Sequence, residues 1–348
     1  MYDGILNRVI YGIERGWIPD RFTRLAIRFL CRQRLVSLEN QYPNKPEGHE
    51  LEMGEDPLTP IAIETDSANH QHYELPPDFF EIVLGEMKKY SCCFWDAAIE
   101  DLDEAERESL RRTCSHSEIE DGMNVLDLGC GWGALSCWIA ENYPSCRITA
   151  VSNSNLQRTF IQETAIRKGF ADRIDVQTAD INTFDTKSKF DRVVSVEMME
   201  HVRNHRLLLN RIYSWMAPEG KMLVHVFCHQ RFTYPFDSEG TDNWMGRYFF
   251  TGGIMPSETL IPQVSERWNL SRKWIWSGDH YQKTADAWLQ NMDRESNTIR
   301  DIFDRHYQND GDRWFFRWRI FFLAVSEMFA MGKGDEWKVA HYLMEPVS

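Results

Sequence analysis

Between residues 124 and 227, short apolar runs alternate with stretches of helical length. The runs are 124–128, 147–151, 173–178, 190–196 and 221–227; helical stretches fill about 133–142, 155–169 and 204–216. Strands apolar on both faces belong to parallel sheets with helices packed on each side. The pattern predicts an α/β fold with a Rossmann-like, mainly parallel sheet. Ligands of such sheets bind where the strands end at their carboxyl side.

The first strand runs into Val-Leu-Asp-Leu-Gly-Cys-Gly-Trp-Gly, residues 125–133. Asp127 lies inside the strand end. Gly129, Gly131 and Gly133 at alternate positions let the backbone turn sharply and come close to a ligand. The spacing is not the dinucleotide G-x-G-x-x-G, and no Lys-Ser/Thr follows, so this is no phosphate-cradling loop. D-x-G-x-G-x-G is similar to motif I of class I S-adenosylmethionine (SAM) methyltransferases. A ligand-free tight turn is the plainer alternative, and the later strand ends argue against it.

After the second strand stand Ser152 and Asn153, where such enzymes commonly carry an acid for the ribose. After the third, Asp180 and Ile181 suit an adenine: the carboxylate for its amine, the side chain for its ring. The fourth strand ends in Glu197-Met-Met-Glu200-His201. Two carboxylates beside an imidazole can hold a cation and move a proton. A zinc site at Glu200, His201 and His205 lacks the H-E-x-x-H order and a sulfur ligand, so no metal is expected.

The flanks are helical or irregular. Residues 3–16 and 20–38 read as amphipathic helices. The second has Phe22, Leu25, Ala26, Phe29 and Leu30 on one face and Arg21, Arg24, Arg28 and Arg32 on another. Such a helix suits a membrane surface; packing on the main domain with a solvated basic face is preferred. Residues 40–70, rich in Pro, Gly and acids, read as a linker. Helices are expected over 78–89 and 102–114. Beyond 228 the rhythm stops, and a loop-rich insertion at 230–262 precedes helices over 281–331 with an aromatic-dense run from Trp314 to Phe329. The expected division is 1–115 as helical extension and SAM-covering segment, 116–228 as SAM-binding core, and 229–348 as substrate cap and end of the fold.

A formal net charge of −14 disfavours nucleic-acid partners and mildly favours cationic ligands. Eight cysteines without a C-x-x-C pair fit a reducing cytoplasm. No signal-peptide pattern and no apolar run of membrane-spanning length occurs.

Taken together, the motifs resemble the coclaurine N-methyltransferase family, within the cyclopropane fatty acid synthase (mycolic acid cyclopropane synthase) superfamily. The resemblance covers Gly16-Trp-Ile-Pro-Asp20, Tyr73-Glu-Leu-Pro76, Ser91-Cys-Cys93, the glycine turn, Glu197-x-x-Glu200-His201, Phe227-Cys-His229, Ser326-Glu-Met-Phe329 and Gly334-Asp-Glu-Trp337. It implies SAM as methyl donor, leaving S-adenosylhomocysteine, held by Tyr90, Ser91, Asp127, the turn glycines, Ser152, Asn153, Gln157, Asp180 and Ile181. It implies that Glu197, Glu200 and His201 handle a small, aromatic or alkaloid-like amine, with Glu74, His225, Phe322 and Glu327 also facing substrate. A homodimer is left open.

The rival is methylation of an unsaturated lipid. Tyr90, Ser91, Cys92, Glu200 and His225 resemble the synthases' bicarbonate-binding positions. Against it, Phe321-Phe322 stand where the synthases have a tyrosine, and Glu197 stands where they typically have Gly. His225 departs from the alkaloid enzymes, which have an acid there. A non-catalytic SAM binder is disfavoured by the complete E-x-x-E-H motif. A nucleic-acid methyltransferase is disfavoured by the missing Asn/Asp-Pro-Pro-aromatic motif.

Overall fold

The computed structural model describes residues 2–42, 59–64, 75–240 and 243–347. Among the described residues four helices precede the sheet: α1 Tyr2–Ile13, α2 Asp20–Gln41, α3 Pro77–Val83 and α4 Leu102–His116. The alternating core follows as β1 Asn124–Leu128, α5 Ala134–Asn142, β2 Arg147–Ser152, α6 Asn155–Lys168, β3 Ile174–Thr178, β4 Phe190–Val196, α7 His205–Trp215 and β5 Met216–His229. Then come β6 Tyr234–Pro235, α8 Trp244–Tyr248, β7 Ile254–Met255 and α9 Leu260–Gln263. The chain closes with β8 Trp268–Trp276, α10 Gly278–Arg294, α11 Ser296–Tyr307, α12 Gly311–Phe329 and β9 Trp337–Pro346.

The main sheet has seven strands in the order β3-β2-β1-β4-β5-β9-β8. β1 pairs in parallel with β2 and β4, and β4 with β5, setting Val196 opposite His225. β9 returns antiparallel to β5, setting His225 opposite His341, and β8 sets Trp274 beside His341. Strand order reverses direction between β1 and β4, and a crevice opens there. Val125, Leu126, Val193 and Val194 are fully buried, which is why these strands read as continuous apolar runs.

A separate aromatic core holds the cap. Phe79 packs on Trp318 at 4.8 Å and on Phe303 at 4.9 Å; Phe80 meets Trp132 of the glycine turn at 4.8 Å. These contacts tie the cap to the floor of the crevice.

The sheet reaches beyond the alternating region, through β8 and β9. β8 escapes a sequence reading because its middle faces solvent and only Trp268 and Trp276 at its ends are buried. The helix expected over 78–89 stops at Val83. Beyond it, the N–H groups of Gly85, Met87 and Lys89 donate to the buried Glu106 carboxylate at 2.9, 2.7 and 3.2 Å. That acceptor on α4 replaces the helical carbonyls and holds the segment as a strap.

α2 is rotated from the expected packing: Ile27, Cys31, Leu35 and Leu38 turn to the core instead of Phe22, Leu25 and Phe29. Phe22, Leu25 and Phe29 are 49, 57 and 52% exposed. Arg24 instead reaches Asp286 at 2.8 Å and Glu327 at 2.7 Å, and Arg28 also pairs with Glu327. A carboxylate buried like Glu327 requires a cation, and α2 supplies two. Among the described residues, no helix is long and apolar enough to cross a membrane.

Candidate active site

A cavity lies over the carboxyl ends of β1, β2, β3 and β4. Its floor is the glycine turn, fixed to β2 by Gly129 and Cys130 N–H groups donating to Val151 O at 3.0 and 2.9 Å. Gly131 has φ +52°, and a Cβ there would meet no protein atom within 4 Å. The left-handed backbone selects glycine, and the cavity above stays clear. Gly133, at φ +81°, starts α5; a Cβ there would strike Ile161 at 2.6 Å. Asp127 accepts the Ser136 hydroxyl at 2.6 Å, and burial pushes its carboxyl up to about 6.

The next strand ends supply the wall. Ser152 Oγ donates to Gln157 Oε1 at 2.6 Å, which leaves the buried Gln157 Nε2 at the cavity without a hydrogen-bond partner. The Ser154 hydroxyl caps α6 by accepting from Gln157 N–H. Asp180 accepts from Asn182 N–H at 2.7 Å, with Ile181 beside it on the wall. Tyr90, Ser91, Gly129 and Asn153 also line this cavity; Gly133 does not. A lone buried amide donor, two carboxylates and an aliphatic side chain above an open glycine turn fit the hydroxyls and base of a nucleoside.

The far end is formed by the residue after β4. Glu197 holds φ +47°, an unusual backbone for a non-glycine residue. Two donors reach its carboxylate, Cys92 N–H at 2.8 Å and the Tyr281 hydroxyl at 2.6 Å, and the His225 ring closes the site with Nε2 at 3.2 Å. Such anchoring is how a strained backbone persists. Burial pushes Glu197 up, while the Lys89 charge pulls the other way. Among the described residues no lysine or arginine forms an ion pair with it. Lys89 Nζ instead donates to Ser91 Oγ and Cys92 O, both at 2.6 Å.

His201 lines the same cavity and stacks on Phe250 at 5.9 Å. Burial lowers its imidazole to about 4, so it is neutral at pH 7 and able to accept a proton. Glu200 is 2% exposed and does not line the cavity. Burial, and then the Glu197 charge, push it well above the carboxylate range.

Other residues implied by the resemblance stand elsewhere. His225 sits behind Glu197 rather than on the wall, fully buried. Phe322 is packed among Trp288, Trp318 and Phe321, because its place on α12 faces the aromatic core. Glu327 is taken by Arg24 and Arg28. Neither lines the cavity. Glu74 lies outside the described residues. Lys89, Tyr281 and Trp132 complete the site without having been singled out. Tyr281 comes from the cap helix α10, and no local pattern marks it.

The mycolic acid cyclopropane synthetase family matches residues 62–339. An (S)-coclaurine N-methyltransferase of Thalictrum flavum subsp. glaucum is 36% identical over 98% of this chain and 96% of its own. The crystal structure of coclaurine N-methyltransferase bound to N-methylheliamine and SAH superposes with a TM-score of 0.91, covering 98% of this chain and 99% of that one at 30% identity. The cyclopropane synthase MmaA2 from Mycobacterium tuberculosis shares the fold at a TM-score of 0.70 and 20% identity, over 82% of this chain and 99% of that one. The cavity's donors and the comparisons agree on SAM as the cofactor. The chain is a SAM-dependent methyltransferase and belongs to the mycolic acid cyclopropane synthetase family, on its coclaurine N-methyltransferase-like branch.

Proposed function

We propose that this enzyme methylates the nitrogen of a small aromatic, alkaloid-like amine. The observation that carries the reading is Glu197: a buried carboxylate on the cavity wall, held by two donors and the His225 ring, with no lysine or arginine ion-pair partner among the described residues. An uncompensated buried anion favours a cationic ligand. An aliphatic amine arrives at pH 7 as ammonium, which has no lone pair to attack with. Glu197 draws that cation in and orients it. His201, neutral at pH 7, takes a proton from it and frees the lone pair. Glu200, behind the wall, supports the pair electrostatically, and the three groups titrate as a unit.

SAM, when bound, supplies a methyl group on a positively charged sulfur. Gln157, Asp180, Ile181, Ser152, Asn153 and the glycine turn would hold it. Methyl transfer is an in-line displacement and gains most from alignment. The aromatic faces of Tyr90 and Trp132 at the cavity favour a cation over water.

The lipid reading needs an external anion as base at Cys92 and His225. In this chain both groups already contact the Glu197 carboxylate, which favours the amine. The test is to incubate the enzyme with SAM, a panel of aromatic secondary and tertiary amines, and unsaturated phospholipid vesicles, and to read products by mass spectrometry. Methylated amine with unchanged lipid is expected. Bicarbonate-dependent lipid modification with no methylated amine would reverse the assignment.

A further inference from the structure

Behind Glu197 the molecule buries a row of histidines that the methyl transfer itself does not touch. His225 Nε2 is 3.2 Å from Glu197 Oε1. His225 and His341 face each other across β5 and β9, with ring centres 4.3 Å apart. His341 Nδ1 is 3.1 Å from His116 Nδ1 on α4. His116 stacks on Trp274 of the edge strand β8 at 4.0 Å and has the row's only measurable exposure, 9%. Two buried ring nitrogens in this row have no hydrogen-bond partner: His225 Nδ1 and His341 Nε2. These are the two atoms that a continuous path from Glu197 to His116 would have to join. A buried polar atom left unpaired is costly, and here two lie on adjacent rings.

We propose that His225, His341 and His116 form a proton-release relay that carries the substrate's proton from Glu197 to solvent at α4. This rests on the amine reading. Each turnover on an ammonium leaves one proton in the site, shared by His201 and Glu197. The histidine row leads from Glu197 away from the cavity. Glu197 passes the proton to His225 Nε2. The proton on His225 Nδ1 moves to His341 Nε2 through one bridging water. The proton on His341 Nδ1 moves to His116 Nδ1, and the one on His116 Nε2 leaves to water. Each ring stays neutral and exchanges one tautomer for the other, and rotation of the rings restores the starting tautomers before the next turnover; no electrons are transferred.

The surroundings suit neutral imidazoles. Lys89 bears on His225 and His341, and Arg111 and Arg112 bear on His116; burial dominates for all three rings and lowers their affinity for a second proton. Glu197 is the only carboxylate in contact with the row among the described residues. Trp276 packs on His225 and His341 at 5.4 and 4.2 Å and Trp274 on His116, which keeps bulk water off the row.

The test uses His341→Phe, and His116→Gln as the milder variant: a side chain that keeps a hydrogen bond but cannot pass a proton onward. None of the row lines the cavity, so SAM affinity by calorimetry is expected to stay within about twofold of wild type. Initial rates are measured with two substrates: an aliphatic amine that arrives protonated, and an arylamine that arrives neutral at the assay pH. The relay predicts a loss of about tenfold or more on the protonated amine, shrinking as pH approaches that amine's pKa, and rates within about twofold on the arylamine. Equal losses on both substrates would make the row structural. Full activity of both variants on the protonated amine would overturn the relay and leave the amine assignment standing. A wild-type enzyme that methylates neither amine overturns both.

Discussion

Two pairs of buried carboxylates are treated in opposite ways. In the interface between the N-terminal helices and the cap, Glu14 accepts from Trp244 at 2.9 Å and pairs with Arg313 and Arg317, while Glu327 pairs with Arg24 and Arg28. Burial alone would raise both groups; the hydrogen bonds and arginine charges outweigh it and hold them below the ordinary range. At the carboxyl end of β4, burial wins, and Glu197 and Glu200 lie above it. Glu14 and Glu327 have arginines of the chain's own beside them. Glu197 and Glu200 have no lysine or arginine ion-pair partner among the described residues, and on the proposed amine reading a cationic substrate takes that place.

The sharpest way to break this contrast is to neutralise one member of each kind. Glu197→Gln keeps the shape and removes the charge. We expect methylation to fall by about 10²- to 10⁴-fold, with SAM affinity by calorimetry nearly unchanged. His201→Ala should lose a similar factor, and its defect should shrink as pH rises toward the amine's pKa, where solution supplies neutral substrate. Wild-type rates at both positions would move the catalytic role elsewhere.

Glu14→Gln should do the reverse. It leaves Arg317, 6% exposed, with only the more distant Asp310 carboxylate at 4.0 Å, at a cost of about 3 kcal/mol in a denaturant titration. Activity per folded molecule should stay at the wild-type level.

The two kinds also predict opposite pH slopes. Glu14 has its folded pKa depressed, so its contribution to stability is present above the unfolded value of about 4.3 and is lost as pH falls through the folded value. Glu200 has its folded pKa raised, so its charge costs stability increasingly as pH rises above about 4.3. Glu200→Gln should therefore raise the melting temperature at pH 7 and leave it unchanged near pH 4. A lowered melting temperature at pH 7 would mean that the Glu200 charge is well solvated.

The smallest effect is expected on the outer face of α2. Phe22→Ser and Leu25→Ser should shift stability by no more than about 0.5 kcal/mol, because these side chains face solvent while Ile27, Cys31, Leu35 and Leu38 pack on the core and Arg24 and Arg28 make the ion pairs. A large loss would mean that this face is covered.

What was legible in the sequence follows from how local each feature is. The glycine turn, Ser152, Asp180 and Glu197 sit where a strand ends, so spacing alone puts them on one edge; Gln157, in the first turn of α6, is marked only by the family resemblance. Tyr281 reaches the site, and His341 the ring of His225 behind it, only because α10 and β9 fold back from far along the chain. α2 shows two faces in sequence, and periodicity cannot say which turns inward. That was decided by Glu327, about three hundred positions later, whose burial needs an arginine more than the core needs Phe22. Phe322 illustrates the converse: an aromatic run reads the same whether it lines a ligand or packs on Trp288 and Trp318.

The left-handed backbone at Glu197 bears on how such an enzyme could have diverged. Glycine is the residue this conformation tolerates best, and glutamate and glycine codons differ by a single base. One substitution would relieve the backbone and leave Cys92 N–H, His225 and the Tyr281 hydroxyl around a space the size of a small carboxylate. A lineage crossing that step would exchange a built-in anion for one drawn from the medium without rebuilding its fold. The reverse step would make the anion heritable.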